Sequence, residues 1–289
     1  MCGIKFWRTR VDVIFYFCTM IAFPNAKINI GLNITEKRTD GFHNLETIFL
    51  PLEWRDALEI AVAEQVQFSS SGIFISGDPE SNLVMKAYRL LQKDFQLPAL
   101  KIHLHKQIPF GAGLGGGSSD AAFMLSMLNR QFQLNLSGEE LERYAASLGS
   151  DCAFFIRNTP VFAFGRGELM EPVRLALNGW FILVVKPPVE VATAKAFQLV
   201  IPQKPSTSLK TLIQLPVQDW EGKVVNQFES SVFQAYPEIK ILKERLYDLG
   251  AAYASMSGSG SCVFGLFSAL PRGLEGLFPE PFLTFSQQL

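Results

Sequence analysis

The residues with the plainest chemical purpose lie in one run, Pro109-Phe-Gly-Ala-Gly-Leu-Gly-Gly-Gly-Ser-Ser119. Ala121, Met124, Leu125, Leu128 and Phe132 follow at helical spacing, so the run opens onto a helix N-terminus. Free backbone N–H groups and the helix dipole favour an anion there, and glycines let the backbone approach it closely. The run therefore reads as a phosphate cradle. It is not a Walker loop, because Gly111 and Gly116 are followed by Gly117 where that loop needs lysine. Gly111-Ala-Gly113-Leu-Gly115-Gly116 satisfies the dinucleotide spacing GxGxxG, but Gln133–Glu140 runs into a helix cap where an acidic strand end should stand. The protein-kinase HRD and DFG sets are missing. Other candidate groups are Lys27 with Asn29, Asp151, and a second glycine loop, Ser257-Gly-Ser-Gly-Ser261, which is either a plain hairpin turn or a flap over a site.

Elements must hold these groups in place. Ala26, Ile28, Ile30, Leu32 and Ile34 alternate with Lys27, Asn29, Gly31, Asn33 and Thr35, which predicts a half-buried strand. Lys27 and Asn29 then share its polar face, about 7 Å apart. Asp40-Gly41 signals a turn, and Leu45–Leu52 returns as a second strand. Asn82–Phe95 has helical spacing. Leu100, Ile102 and Leu104 alternate with Lys101, His103 and His105, which predicts a half-exposed strand with solvated histidines. Ser137 and Glu140 form a capping box for a helix that Gly149 stops. Composition shifts around Met170–Asn178. Beyond it, Trp180–Lys186 reads as a strand, Pro202–Pro216 as loop, Val224–Gln234 and Glu238–Leu249 as helices, and Ala252–Met256 and Cys262–Phe267 as strands. Early strands with helices laid over them predict an α+β fold.

The 289 residues suit two domains of roughly 150 residues each. A net charge of −1, with no basic stripe, sets nucleic-acid binding aside. At 48% hydrophobic and 18% charged residues the chain is not a disordered one. Four scattered cysteines without a CxxC pair, and three histidines without HExxH, argue against a zinc enzyme and for reduced, cytoplasmic thiols. Residues 1–19 stand apart. Lys5, Arg8 and Arg10 precede the short apolar run Val13–Phe23, which is too short to span a bilayer and lacks a small-x-small cleavage site. The expectation is that translation starts at Met20.

Three segments, in order, are similar to the signature motifs of the GHMP kinases. Pro24-Asn-Ala-Lys-Ile-Asn-Ile-Gly-Leu32 resembles the first, Pro109–Ser119 the nucleotide motif PxGxGLGGGSS, and Ala254-Ser-Met-Ser-Gly-Ser-Gly-Ser-Cys-Val-Phe264 the third. Asp40-Gly-Phe-His-Asn-Leu-Glu-Thr47 and Gly149-Ser-Asp-Cys-Ala-Phe-Phe155 further resemble marks of the members that phosphorylate a cytidine diphosphate-linked methylerythritol on its 2-hydroxyl, in the non-mevalonate route to isoprenoids. The resemblance spans about Met20 to Phe267.

The resemblance implies a two-domain fold. An N-terminal domain like ribosomal protein S5 domain 2 (20–172) and a C-terminal ferredoxin-like α/β sandwich (173–289) would have the site between them. ATP would lie on Pro109, Phe110, Gly111, Ala112, Gly113, Leu114, Gly115, Gly116, Gly117, Ser118 and Ser119, with Ser118 or Ser119 touching Mg2+. Asp151 would accept the hydroxyl proton, and Lys27 beside it would neutralise the γ-phosphate. Asn29 would lie near the substrate hydroxyls. Phe42 and His43 would lie at the cytidine, and Phe197 would complete an aromatic sandwich with Phe42. The partners implied are small molecules, with neither nucleic acid nor membrane, and the chain would be a monomer or weak homodimer. Three departures stand out: Phe42 replaces the usual Tyr, residues 1–19 have no counterpart in the family, and the tail after Phe267 is rich in Pro and Gly where a last helix is expected. The rivals are a homoserine or mevalonate type of kinase, a dinucleotide-dependent oxidoreductase built on Gly111–Gly116, and a silent binding protein. A chain started at Met20 is expected to express in soluble form with the activity of the full chain. Aggregation or loss of activity on that truncation would make residues 1–19 part of the fold.

Overall fold

The computed structural model describes residues 19–289, so the expected extension, Thr19 apart, lies outside the described residues. The chain opens with strands β1 (Met20–Ala22), β2 (Asn25–Lys37), β3 (His43–Arg55), β4 (Ala57–Val62) and β5 (Gln67–Gly72). Helix α1 (Leu83–Asp94) and strand β6 (Leu100–Lys106) follow, then helices α2 (Gly116–Gln131), α3 (Gly138–Leu148) and α4 (Cys152–Arg157). Next come β7 (Val161–Gly165), β8 (Leu169–Pro172), β9 (Phe181–Lys186), α5 (Thr193–Leu199), α6 (Leu209–Leu212), α7 (Phe228–Ala235) and α8 (Pro237–Asp248). The chain closes with β10 (Tyr253–Met256), β11 (Val263–Phe267), α9 (Leu274–Leu277) and β12 (Leu283–Gln288).

These strands make three four-stranded sheets, ordered β1-β4-β6-β5, β2-β3-β7-β8 and β10-β11-β9-β12. All neighbours run antiparallel except β5 and β6. This is the α+β arrangement expected. Helices α1 and α2 bury Val84, Tyr88, Leu91, Met124 and Leu128 against Leu58, Ile60, Ile102 and Leu104 of the first sheet. Asn82 caps α1 by accepting from Val84 N, and the Ser137–Glu140 capping box starts α3. Among the described residues no helix is long and apolar enough to cross a membrane.

Four local expectations need correcting. Pairing begins at Met20, before Pro24, because β1 adds to the edge of β4. The helix expected from Val224 starts only at Phe228. Val225 and Gln227 bond to the backbone of Leu32 instead, and the Asn226 side chain accepts from Phe228 N. The segment Pro202–Pro216 contains the short helix α6, capped by Ser208. The tail ends in β12, which pairs with β9 and stacks Phe285 on Trp54, the ring centroids 5.3 Å apart.

The strand that carries Lys27 departs most from its pattern. Alternation puts Ile28, Ile30, Leu32 and Ile34 on one face, but the register shifts between Ile30 and Leu32, at Gly31. Gly31 adopts φ +66°, and a Cβ there would come within 2.6 Å of Leu209. The extra residue reverses the two faces. Ile28 and Ile30 stay in one core cluster, whereas Leu32 and Ile34 join another. Both faces are buried from Asn25 to Ile34, because the polar side lies under other loops instead of water.

A buried charge cluster fixes the start of α2. Lys106 sits on the inward register of β6 with Leu100, Ile102 and Leu104. Its ammonium bonds to Asp56, and to Asp120 Oδ2 at 2.7 Å, all three side chains being buried. Asp56 Oδ1 also accepts the backbone N–H groups of Gln107 and Ile108 at 2.6 and 2.8 Å. One cation thus serves two carboxylates. Burial, opposed by Lys106 and reinforced by the nearby charge of Asp56, pushes the Asp120 carboxyl up to about 7, and its Oδ1 has no partner. A carboxyl raised in the native state stabilises the fold most below the ordinary carboxylate pKa of about 4 and loses that contribution as pH rises through about 7. Asp120→Asn is therefore expected to flatten the fall in stability between about pH 4 and pH 7. Urea-unfolding midpoints across that range check this, and an unchanged slope would remove Asp120 as its source.

Candidate functional site

The glycine run lies between β6 and α2, as its composition demanded. Gly115 holds the N-cap position of α2 at φ +69°. A Cβ on Gly115 would lie 2.9 Å from the Phe155 ring and 3.1 Å from Lys27 Cε. A Cβ on Gly113, at φ +74°, would collide with the Ser257 carbonyl. Both positions need glycine for space as well as for backbone conformation. Strand β6, which feeds the run, belongs to a mixed sheet and not to a doubly wound parallel one, so the dinucleotide reading loses its structural context.

Lys27 reaches the rim of this cradle from β2, its backbone N–H bonded to Leu114 O at 2.9 Å. The side chain is only 3% exposed. Its ammonium lies 3.2 Å from Asp151 Oδ2, donates to Asn29 Oδ1 at 2.5 Å, and stands 4.9 Å from the centroid of the Phe49 ring. Asn29 in turn donates to Thr47 Oγ1, which donates to Gly31 O at 2.6 Å. The chain of donors has one direction, which leaves Asn29 a fixed orientation. Asp151 precedes α4 at its N-cap position, yet its carboxylate does not cap that helix. It is turned to Lys27 and about a third exposed, open to a reactant.

The second glycine loop is the hairpin between β10 and β11, and its Gly258–Gly260 segment lines the cavity of the site. Ser257 Oγ accepts from Asn29 N at 3.1 Å and donates to Gly113 O at 2.8 Å. Asn226 donates to Met256 O and Gly258 O, which anchors the loop from behind. Thr193 and Ser259 share a hydrogen bond of 3.0 Å across the gap.

Together these parts enclose a cavity of about 450 Å³. Lys27, Asn29, Thr47, Phe49, Pro109–Ser118, Asp151, Phe197, Phe228 and Gly258–Gly260 line it, as does Leu32, brought there by the bulge. Ser119 lies outside that lining; its Oγ is buried without a partner. A second cavity of about 360 Å³ adjoins the cradle at Phe110 and Gly117, with Phe68, Ile75, Pro79 and Leu83 on its walls.

The expected aromatic sandwich is arranged differently. Phe197 stacks on His43, with centroids 5.2 Å apart and planes 26° from parallel, and meets Phe228 edge-on at 4.8 Å. Phe42 is 52% exposed, and the Arg166 guanidinium lies 4.8 Å from its ring centroid. Consecutive strand-entry residues point to opposite sides, so only one of Phe42 and His43 can face Phe197. Burial, helped by Lys37, holds the His43 imidazole below its ordinary pKa and so favours the neutral form.

Several site residues went unread in the sequence: Thr47, Phe49, Arg166 and Thr193 in the cavity, and Lys106, Asp56 and Asp120 beneath the cradle. For Lys106 a signal existed, since a lysine on the apolar register of a strand marks a buried cation. For Arg166 the flanking Gly165 and Gly167 were the only hint.

Comparisons with known proteins bear on this geometry. The family models described as GHMP kinases N terminal domain and GHMP kinases C terminal match residues 82–165 and 214–275. A Bacteroides fragilis protein named 4-diphosphocytidyl-2-C-methyl-D-erythritol kinase is 57% identical over 253 residues, 86% of this chain and 92% of its own length. A protein of the same name from Parabacteroides distasonis is 52% identical, over 93% of this chain and 99% of its own. A crystal structure of 4-(cytidine 5'-diphospho)-2C-methyl-D-erythritol kinase superposes with a TM-score of 0.73 at 32% identity, covering 86% of this chain and 90% of that one. Mevalonate kinase of Methanococcus jannaschii, at 12% identity, shares the fold with a TM-score of 0.69 over 94% of this chain and 99% of that one. In fold, motif order and extended similarity alike, the chain belongs to the GHMP kinase family.

Proposed function

We propose that this chain is an ATP-dependent kinase that phosphorylates the 2-hydroxyl of 4-diphosphocytidyl-2-C-methyl-D-erythritol, releasing ADP, in the non-mevalonate route to isoprenoids. The observation that carries the reading is the Lys27–Asp151 pair, held 3.2 Å apart at the mouth of the phosphate cradle. Relatives bearing that enzyme's name support the substrate. The stretch Asp40–Thr47 speaks against the homoserine and mevalonate alternatives.

Phosphoryl transfer asks a protein for positioning and charge neutralisation more than for covalent chemistry. The ATP phosphates lie on the backbone N–H groups at the start of α2, and the nucleoside extends into the cavity beyond Phe110. Asp151 accepts the proton of the attacking hydroxyl. Lys27 neutralises charge building on the transferred phosphoryl group and keeps the Asp151 carboxylate oriented. Asn29, fixed by Thr47, bonds the acceptor polyol. Phe197 stacks on the cytosine, with Phe42 beside it, and neutral His43 can both donate to and accept from the edge of the base.

A magnesium ion carried with ATP would offset the charge of the phosphates. Among the described residues no cluster of three or more His, Cys, Asp or Glu side chains could hold a metal. Ser118, which lines the cavity at the helix start, is the side chain that would help hold the ion. A cytoplasmic enzyme that works as a monomer or weak homodimer, with domains at 20–172 and 173–289, completes the proposal.

An ADP-release assay offering the cytidyl alcohol, homoserine and mevalonate in turn tests the reading; preference for either of the latter two overturns it. Asp151→Asn keeps the shape and removes the base, so turnover should fall by about 10²- to 10⁴-fold with little change in either KM. Turnover close to that of the parent enzyme would remove Asp151 from the chemistry. Phe197→Ala should raise the KM for the cytidyl substrate about 5- to 150-fold, since stacking on a base is worth about 1–3 kcal/mol, and leave the KM for ATP alone. A matched rise in both KM values together with a lower unfolding midpoint would assign the ring to the core.

A further inference from the structure

The cavity holds a cation that the transfer chemistry leaves unused. Three of the residues lining it are charged, Lys27, Asp151 and Arg166. Lys27 is engaged by Asp151 and Asn29. Arg166 sits in the turn from β7 to β8, between Gly165 and Gly167, both at positive φ. Its guanidinium carbon lies over the Phe42 ring, 4.8 Å from the centroid. Its carboxylate neighbour Glu168 stays 3.7 Å from Nε, and among the described residues the guanidinium makes no hydrogen bond. A planar cation held over a ring, ion-paired through Nε but with no hydrogen bond on its terminal N–H groups, can donate to a phosphate oxygen.

The acceptor proposed above carries a diphosphate between its cytosine and its polyol. The residues given to those two ends, Asn29, His43, Phe42 and Phe197, bring no formal charge to it. We infer that Arg166 binds this diphosphate and makes the acceptor site prefer a cytidine diphosphate group to cytidine alone. The inference rests on the functional reading above, because it takes the acceptor to be a nucleoside diphosphate.

The test measures cytidine and CDP as inhibitors competitive with the acceptor, in the parent enzyme, Arg166→Gln and Arg166→Lys, with the KM for ATP and the unfolding midpoint recorded for each. In Arg166→Gln the preference for CDP over cytidine should fall about tenfold, the lower end expected for losing a charge-assisted hydrogen bond. Cytidine inhibition and the KM for ATP should hold. Arg166→Lys, which keeps the charge, should retain part of the preference. Equal weakening of cytidine and CDP would mean that the guanidinium only props Phe42, and it overturns the inference. So does an unchanged ratio, or a KM for ATP that rises in step. If the parent enzyme does not phosphorylate the cytidyl alcohol, the functional reading itself falls, an outcome visible before any Arg166 variant is made.

Discussion

Keeping the ammonium of Lys27 almost wholly out of water is the constraint around which the rest of the site is built. A cation at that depth is costly unless it is paired and hydrogen-bonded, and removing one partner of such a pair costs several kcal/mol. Its partners come from different parts of the chain. Asp151 stands at the start of α4, Asn29 lies on the same strand, and Phe49 is across the ladder on β3. Each partner ties an element to the lysine, so the β2 register, the entry to α4 and the path of the glycine run must agree. Gly115 joins the same constraint from the other side, since a Cβ there would crowd the Phe155 ring at 2.9 Å and Lys27 Cε at 3.1 Å.

A similar economy of space governs the far wall. The Gly113 backbone lies directly against the backbone of Ser257, and the Ser257 hydroxyl links Gly113 O to Asn29 N. The hairpin is held there by Asn226, in the segment just before α7 that bridges to Leu32 of β2. The two glycine loops are thus joined by backbone contact, which leaves less play than long side chains would.

The legibility of these parts in the sequence followed the range of the interactions involved. The glycine run, its helix, the capping box at Ser137 and the pairing of Lys27 with Asn29 are local patterns, and all stand in the structure. The place of Asp151 beside Lys27, across more than a hundred residues, was accessible only through motif order, since neither residue alone differs from a surface charge or a turn. The Gly31 bulge was hidden because alternation continues in the letters on both sides of it. Phe42 and His43 could not be assigned to faces without knowing where β3 begins. Lys106 was the missed opportunity, as its parity already placed it with Leu100, Ile102 and Leu104.

The bulge at Gly31 divides β2 into two stretches with different obligations. Before it, the strand's parity places Lys27 and Asn29 together beside Asp151. After it, Leu32 and Ile34 follow the opposite parity and answer to the cavity wall and the third sheet. A side chain can change size beyond Gly31 without rotating Lys27, because the kink absorbs the mismatch. The buried charge and the cavity wall beyond it are therefore separable along a single strand. An architecture partitioned in this way can change the shape of its cavity while the charge at the cavity mouth stays where it is.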